Sequence, residues 1–236
     1  MEDRVPGDVL FDGDLKIANL QNTHAACVIL LDVSGSMKPA IDMLNDALVA
    51  FHDQICEDKN ARNIVDVAVV AFGNNNVEVL SEFQPIKDWQ VNRVVAGGNT
   101  PMGEALVLGI HMAKERSRSY QNLGVDAHIP WLVVFTDGAP TDSFEQARIL
   151  LEEEAKKGKY GHLKLWMVLT EGADVDFAKS LTKRVIYMKD KNYEKIFDWL
   201  ADSMVMLSVS NPSNAVKVPD LPDNASTVIP DDWANG

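Results

Sequence analysis

Oxygen-bearing side chains follow the ends of two apolar stretches in this sequence. The stretch CVILLDVSGSM at residues 27–37 reaches Asp32 and then places two hydroxyls, those of Ser34 and Ser36, at alternate positions. An uncharged apolar run that ends in a turn signal is typical of a fully buried strand. A second run of this kind, WLVVFT, ends at Asp137. We therefore expect carboxylates and hydroxyls beyond the ends of two buried strands.

A further hydroxyl, that of Thr100, lies between a glycine-rich loop and a helical pattern. Oxygen donors without histidine or cysteine favour Mg²⁺, Mn²⁺ or Ca²⁺ over zinc. Because this set has three hydroxyls and only two carboxylates, a bound cation would stay electrophilic and keep a position for water or an incoming carboxylate. The residues thus predict a divalent-cation site formed by Asp32, Ser34, Ser36, Thr100 and Asp137.

Each of these residues also has an ordinary structural explanation. The two serines suit a helix cap, Thr100 before Pro101 is a good N-cap pair, and Asp137 with the glycine after it is a common turn. Their convergence at one edge of a sheet would favour the metal site over these separate explanations. Asp142 is different, because it lies where a helical pattern starts and helix capping explains it better than metal contact.

The rest of the pattern supplies elements that could bring these residues together. Beyond the first strand, runs rich in apolar residues predict strands at 64–72, 77–83, 131–136, 163–169 and 184–188. Apolar residues at spacings of three and four predict helices near 38–56, 101–116, 144–158, 174–181 and 193–207. The short turn at 73–76 makes the second and third strands an antiparallel hairpin. Buried strands alternating with amphipathic helices indicate a mostly parallel sheet, in which ligands bind beyond the carboxyl ends of the strands.

Composition limits the classes of partner. The chain has 236 residues, 46% of them apolar, and a formal charge of −13 from 22 basic and 35 acidic residues. This length and composition suit one α/β domain, and the acidic balance argues against nucleic acid or an anionic membrane as the partner. The sequence shows neither a signal-peptide layout nor a run of 18 apolar residues, so we expect a cytoplasmic protein. Cys27 and Cys56 lack metal-site spacing and are expected to be packing residues.

Three motifs together resemble a known kind of metal site. They are Asp-x-Ser-x-Ser at 32–36, Gly-Gly-x-Thr-Pro-x-Gly at 97–103 and Thr-Asp-Gly-x-Pro-Thr-Asp at 136–142. In this order and spacing they resemble the metal-ion-dependent adhesion site of a von Willebrand factor A domain. Within that family, the Glu-Ala-Leu that continues the second motif and the Asp-Trp-Leu at 198–200 are similar to compact bacterial members associated with tellurite resistance. Asn99 departs from the pattern and lengthens or reshapes the loop before Thr100.

The resemblance, which covers about residues 24–208, implies a fold and a role for each site residue. The fold would be doubly wound and Rossmann-like, with six strands in the order 3-2-1-4-5-6 and strand three antiparallel. Ser34 and Ser36 would bind Mg²⁺ or Mn²⁺ directly, with Ca²⁺ a poorer fit. The two aspartates would bind directly or through water, and Thr100 would switch between these modes.

Segments outside the domain have a different character. Residues 1–23 show no sustained period and are interpreted as an N-terminal arm. From residue 211 onward, prolines with aspartates and asparagines replace any helical or strand pattern. We therefore interpret residues 209–236 as a flexible acidic tail.

The function implied by the resemblance is metal-dependent protein binding without catalysis. The open position on the cation would take an Asp or Glu from a protein partner. The bacterial relatives point to stress response or defence, where a serine/threonine kinase and a metal-dependent serine/threonine phosphatase are candidate partners.

Two other functions remain as alternatives. One is a Mg²⁺-dependent phosphohydrolase using Asp32 or a serine hydrolase using Ser34. Against it, Asp32 lacks a second aspartate two residues on, and Ser34 lacks a Gly-x-Ser-x-Gly frame. The other is a structural subunit of a self-assembling complex, in which Asp231 and Asp232 of a neighbouring copy would fill the site.

Overall fold

A seven-stranded sheet forms the centre of the chain. The computed structural model describes residue 17 and residues 21–157, 163–212 and 218–228. The strands are β1 (Ala25–Val33), β2 (Val65–Gly73), β3 (Asn76–Pro85), β4 (Trp131–Thr136), β5 (Lys164–Leu169), β6 (Val185–Met188) and β7 (Ala225–Thr227). Their order is β3-β2-β1-β4-β5-β6-β7, with β3 antiparallel to β2, β7 antiparallel to β6 and the other pairs parallel. The predicted α/β fold, the order of its six strands and the antiparallel third strand are confirmed.

Helices cover both faces of the sheet because successive residues of the central strand point to opposite sides. The helices are α1 (Ile41–Glu57), α2 (Ala61–Ile64), α3 (Met102–Leu123), α4 (Glu145–Lys156), α5 (Val175–Leu181) and α6 (Tyr193–Ser208). On β1, Ile29 packs into a core with α1 and α6, whereas Leu30 packs into a second core with α3, α4 and α5. Within the described ranges, none of these helices combines the length and apolarity that a membrane span needs.

The prediction of six strands was wrong by one. The seventh, β7, lies inside the stretch interpreted as a tail, where Ala225, Ser226 and Thr227 carry no recognisable strand pattern. It forms because β6 would otherwise leave an open edge, and Thr227 pairs there with Ile186. Such a strand is specified by its neighbour, so local sequence does not predict it.

Side-chain contacts hold the segment before β7 against α6. The indole nitrogen of Trp199 donates to the carbonyl of Pro219 at 3.0 Å, and Val218 is buried in the core on that face. Residues 213–217 and 229–236 of the predicted tail lie outside the described residues, as do 1–16 and 18–20 of the predicted arm.

Helix α3 is longer than its apolar pattern predicted. The apolar pattern predicted a helix end near residue 116, but the helix continues to Leu123, where Gly124 ends it with a φ of +66°. The polar residues of this last stretch misled the prediction, since the side chain that it buries is that of Tyr120, one helical turn beyond the buried Arg116.

Those two side chains belong to a buried network centred on Asp66. The carboxylate of Asp66, on β2, accepts hydrogen bonds from the Tyr120 hydroxyl, from Arg116 at 2.8 Å and from His24 Nδ1 at 3.0 Å. The side chains of Asp66 and His24 have no exposed surface, and that of Arg116 is 3% exposed. The network therefore joins the end of α3 to the sheet edge where β1 and β2 begin.

Candidate metal centre

Asp32 is held at the boundary between β1 and β4. Its Oδ1 accepts the backbone N–H of Ser34 at 2.8 Å, and its Oδ2 accepts the hydroxyl of Thr136 at 2.6 Å. The parallel pairing of β1 with β4 places the ends of these strands side by side. Because Asp32 is fully buried, desolvation raises its pKa above the usual value, against the opposing effect of these hydrogen bonds.

Ser34, Ser36 and Asp137 form a continuous line of polar contacts. The two serine hydroxyls lie 3.1 Å apart, and the hydroxyl of Ser36 donates to Oδ1 of Asp137 at 2.6 Å. A single 3₁₀ turn at Gly35–Met37 follows β1 and brings the serine hydroxyls together. The fold thus joins side chains that are 101 positions apart in the sequence.

Ser34 precedes this turn, but the contact of its hydroxyl with Ser36 takes the place of a cap. The N-cap position of α1 belongs to Ala40. The capping explanation for the two serines is therefore wrong: the hydroxyl of Ser34 contacts that of Ser36, which donates to the carboxylate of Asp137.

Thr100 lies beside these residues, on the loop that leads into α3. Its backbone N–H donates to Oγ1 of Thr141 at 3.1 Å, and its carbonyl accepts the N–H of Thr141 at 2.9 Å. A Cβ built on Gly138 would stand 3.7 Å from Oγ1 of Thr100 and 4.0 Å from Oδ2 of Asp32. The Thr100 hydroxyl and the Asp32 carboxylate therefore flank one point next to Gly138.

The prediction that Thr100 caps α3 was wrong. The helix begins at Met102 with Pro101 at the N-cap position. Asp142 supplies the capping oxygens from another loop, accepting the N–H of Gly103 at 2.9 Å and of Glu104 at 2.8 Å. Capping was the expected role of Asp142, but the helix it caps is α3 and not the helix that follows it in sequence.

The glycines before Thr100 tie its loop to the ends of β1 and β2. Gly97 donates to the carbonyl of Val33 at 2.8 Å, and the carbonyl of Gly98 accepts from Gly35 at 3.0 Å. Gly98 has a φ of +64°, and a Cβ there would stand 2.6 Å from the backbone nitrogen of Asn75. Asn99, the departure from the motif, donates its N–H to the Asn75 side chain at 3.3 Å. The loop is therefore shaped against the β2–β3 hairpin.

Sequence reasoning missed one charged residue of the site, Lys191. Its ammonium lies 3.4 Å from Oδ2 of Asp137, on the loop between β6 and α6. The Lys191 side chain is 29% exposed and that of Asp137 only 3%. The sequence did contain a signal for the position of Lys191, because the polar stretch after the sixth strand had to lie at the same edge of the sheet as Asp137.

The candidate metal site contains few carboxylates. Among the residues that the structure describes, no three His, Cys, Asp or Glu side chains gather as a potential metal cluster. The convergent groups are instead two buried aspartates and three hydroxyls, whose oxygen atoms suit a hard cation.

Part of this chain is similar to a known protein family. A family model described as the von Willebrand factor type A domain matches residues 27–139, which extend from the first residues of β1 to just beyond Asp137. This stretch, just under half of the chain, is therefore similar to a von Willebrand factor type A (vWA) domain. The five residues of the candidate site all lie inside the matched stretch.

Solved structures share the fold of this chain at low identity. The pilus adhesin SpaC from Lactobacillus rhamnosus GG, in its open conformation, is 12% identical with a TM-score of 0.62 over 81% of this chain and 31% of the adhesin. Proximal thread matrix protein 1 from the mussel byssus is 15% identical with a TM-score of 0.52, over 79% of this chain and 49% of that protein. The N-terminal domain of TFIIH p34 is 10% identical with a TM-score of 0.52, over 78% of this chain and 99% of that domain.

These likenesses concern the fold alone. The chain matches about half the length of the mussel protein and less than a third of that of the adhesin. No curated protein matches the sequence.

Proposed function

We propose that this vWA-like domain binds Mg²⁺ or Mn²⁺ and uses the bound ion to capture an acidic residue of a partner protein. The cation would be held by Asp32, Ser34, Ser36, Thr100 and Asp137. The observation that carries the proposal is the line of contacts from Ser34 through Ser36 to Asp137, which brings hydroxyls and a carboxylate from distant loops to one place.

The donors fit such an ion chemically. All five are hard oxygen donors, and Asp32 and Asp137 are held by hydrogen bonds that fix their orientation. The two carboxylates only balance the charge of a divalent ion, and the three hydroxyls add none, so an incoming carboxylate would not meet an excess of negative charge at the site. A bound ion would supply a Lewis-acidic contact that attracts a carboxylate, and such charge-assisted recognition is strong where water is largely excluded.

Binding suits this site better than catalysis. General base catalysis needs a proton acceptor within hydrogen-bond reach of the reacting group. His24 lies before β1, at the sheet edge opposite to Asp32, and bonds to Asp66 there. The hydroxyl of Ser36 donates to Asp137, while that of Ser34 lies against Ser36. We therefore propose a protein-binding module and not an enzyme.

The motif similarity to tellurite-resistance-associated proteins supports a more specific setting. We propose a cytoplasmic role in bacterial stress response or defence. A serine/threonine kinase and a metal-dependent serine/threonine phosphatase are the candidate partners, and an exposed Asp or Glu on one of them would complete the coordination of the ion.

Metal titration of the full chain tests the first half of this proposal. In isothermal titration calorimetry, the wild type should bind about one Mn²⁺ or Mg²⁺, and Asp32→Ala should weaken that binding at least about tenfold. Asp46→Ala is the matched control, because its side chain is 71% exposed and pairs with Arg93 on the surface. Equal metal affinity in wild type and Asp32→Ala would contradict the site.

Affinity capture from cell extract tests the second half. A partner should be retained with Mg²⁺, released by EDTA and absent with Asp32→Ala. Equal retention in EDTA would exclude a cation-bridged interaction, even if the titration had shown a metal site.

A further inference from the structure

Both carboxylate oxygens of Asp137 have partners. The hydroxyl of Ser36 donates to Oδ1 at 2.6 Å, and the ammonium of Lys191 lies 3.4 Å from Oδ2. Asp137 is nearly buried, so its charge is poorly screened by water and the nearby ammonium interacts with it more strongly than on an open surface. A positive charge of this chain therefore already lies at the candidate metal site.

Asn224, in the C-terminal segment, holds the loop that carries Lys191. The side-chain amide of Asn224 donates to Oδ1 of Asp190 at 2.7 Å and to the carbonyl of Asn192 at 3.2 Å. The backbone carbonyl of Asn224 accepts the N–H of Lys189 at 2.7 Å. The residues on both sides of Lys191 are thus fixed by Asn224, which is 6% exposed.

A salt bridge and strand pairing strengthen this attachment. Lys195, in the first turn of α6, pairs with Asp223 at 2.7 Å, and β7 begins immediately after Asn224. The position of Lys191 therefore depends on the segment 218–228 remaining docked on the sheet.

We propose that Lys191 is a tethered cation that competes with a divalent ion for Asp137, and that docking of the segment 218–228 sets the strength of this competition. The inference rests on the proposed metal site and adds how that site is regulated. A divalent ion in contact with Asp137, direct or through one water, comes within a few ångströms of the Lys191 ammonium and is repelled by it. Since Ser36 is itself one of the proposed metal ligands, Lys191 is the partner of Asp137 that must withdraw.

The coupling is reciprocal. If docking of the segment holds Lys191 against Asp137 and lowers metal affinity, metal binding must loosen the loop and the segment by the same free energy. A partner that displaces the segment would accordingly raise the affinity for the ion.

Calorimetric titration with Mn²⁺ tests the competition on the full chain. Lys191→Met keeps most of the length of the side chain and removes its charge, and it should tighten Mn²⁺ binding about fivefold, the upper range for a partly exposed ion pair. Asn224→Ala leaves the charges unchanged and should tighten binding by a smaller factor. Thermal unfolding of each variant checks that it is folded.

Lys38→Met is the control for a general effect of charge. Lys38 is exposed and follows Ser36 by two positions, but among the described contacts it has none to Asp137. Its replacement should change Mn²⁺ affinity by less than about twofold.

The outcomes separate this inference from the proposed function. Metal binding by the wild type with unchanged or weaker affinity in Lys191→Met would overturn the competition and leave the metal site standing. Binding by Lys191→Met alone would support a strong form of the competition. If neither protein binds the ion, both proposals fail.

Hydrogen exchange tests the coupling to the C-terminal segment. Saturating Mn²⁺ should speed amide exchange at 189–192 and 218–228 in the wild type, and the effect should shrink in Lys191→Met. If saturating ion leaves exchange at 218–228 of the wild type unchanged, the segment does not set the competition.

Discussion

Asp32 combines a proposed binding role with a cost to stability. It is fully buried, its two oxygens accept hydrogen bonds from Ser34 and Thr136, and burial raises its pKa. A raised pKa means that the folded state binds a proton more tightly than the unfolded state does, so the carboxylate lowers stability once it is ionised. A bound cation would offset this cost by neutralising the charge.

Asp32→Asn should therefore stabilise the metal-free protein at neutral pH. The gain in the free energy of unfolding should be on the order of 1 kcal/mol, because an amide can accept the N–H of Ser34 and donate to the hydroxyl oxygen of Thr136 without a buried charge. The gain should vanish as the pH falls through the raised pKa toward the ordinary value of 3.8. Urea unfolding in EDTA at several pH values measures it.

Mn²⁺ should reverse the order of these two proteins, since only the wild type gains binding energy from the ion. Asp53→Asn, at a side chain that is 65% exposed, serves as the control and should stay close to the wild type. A metal-free Asp32→Asn protein that is less stable than the wild type at neutral pH would contradict this account of Asp32.

Helix α3 connects the candidate metal centre with the buried polar network at the other edge of the sheet. Its first turn is capped by Asp142, while Arg116 and Tyr120 near its far end contact Asp66. With 22 residues and a rise of about 1.5 Å per residue, the helix is roughly 33 Å long. The Asp66 network therefore anchors the end of α3 that is far from the site, and its contribution belongs to stability.

Arg116→Met should lower the free energy of unfolding by about 3 kcal/mol, because it removes a charged partner from the buried carboxylate of Asp66. Arg93→Met provides the matched control: its pairs with Asp42 and Asp46 involve an arginine that is 57% exposed, so the loss should stay below about 1 kcal/mol. Urea unfolding measures both. Equal losses in the two variants would show that the burial of the Asp66 network adds nothing.

The charge of the whole molecule acts on the site from a distance. A formal charge of −13 creates a negative potential that attracts cations, and dissolved salt screens it. The local ligands should account for the geometry of binding, and the net charge for part of its strength.

Mn²⁺ affinity should accordingly fall about three- to tenfold when NaCl is raised from about 0.05 to 0.5 M. Calorimetric titration at several salt concentrations measures the slope, and circular dichroism confirms that the fold is unchanged. A dissociation constant that does not vary with salt would assign the whole affinity to the local donors.

Much of this fold was accessible from the sequence because its signals are local. Apolar runs and helical spacing predicted six strands and five helices near their observed positions, and polar residues after β1 and β4 had to meet at one edge of a parallel sheet. The convergence of Ser36 and Asp137 at that edge follows from this reasoning together with the motif resemblance. Their role as metal ligands stays a prediction.

Tertiary packing decided the features that have no local signal. Lys191 meets a carboxylate 54 positions away, Asp142 caps a helix that precedes it, and β7 forms only because the edge of β6 accepts it. Each of these contacts joins two elements that are far apart in the sequence. The spacing of residues within either element cannot specify how the two elements pack together. The sequence by itself thus determined which oxygens converge at the site, whereas the packed structure decided which cation of the chain lies beside them.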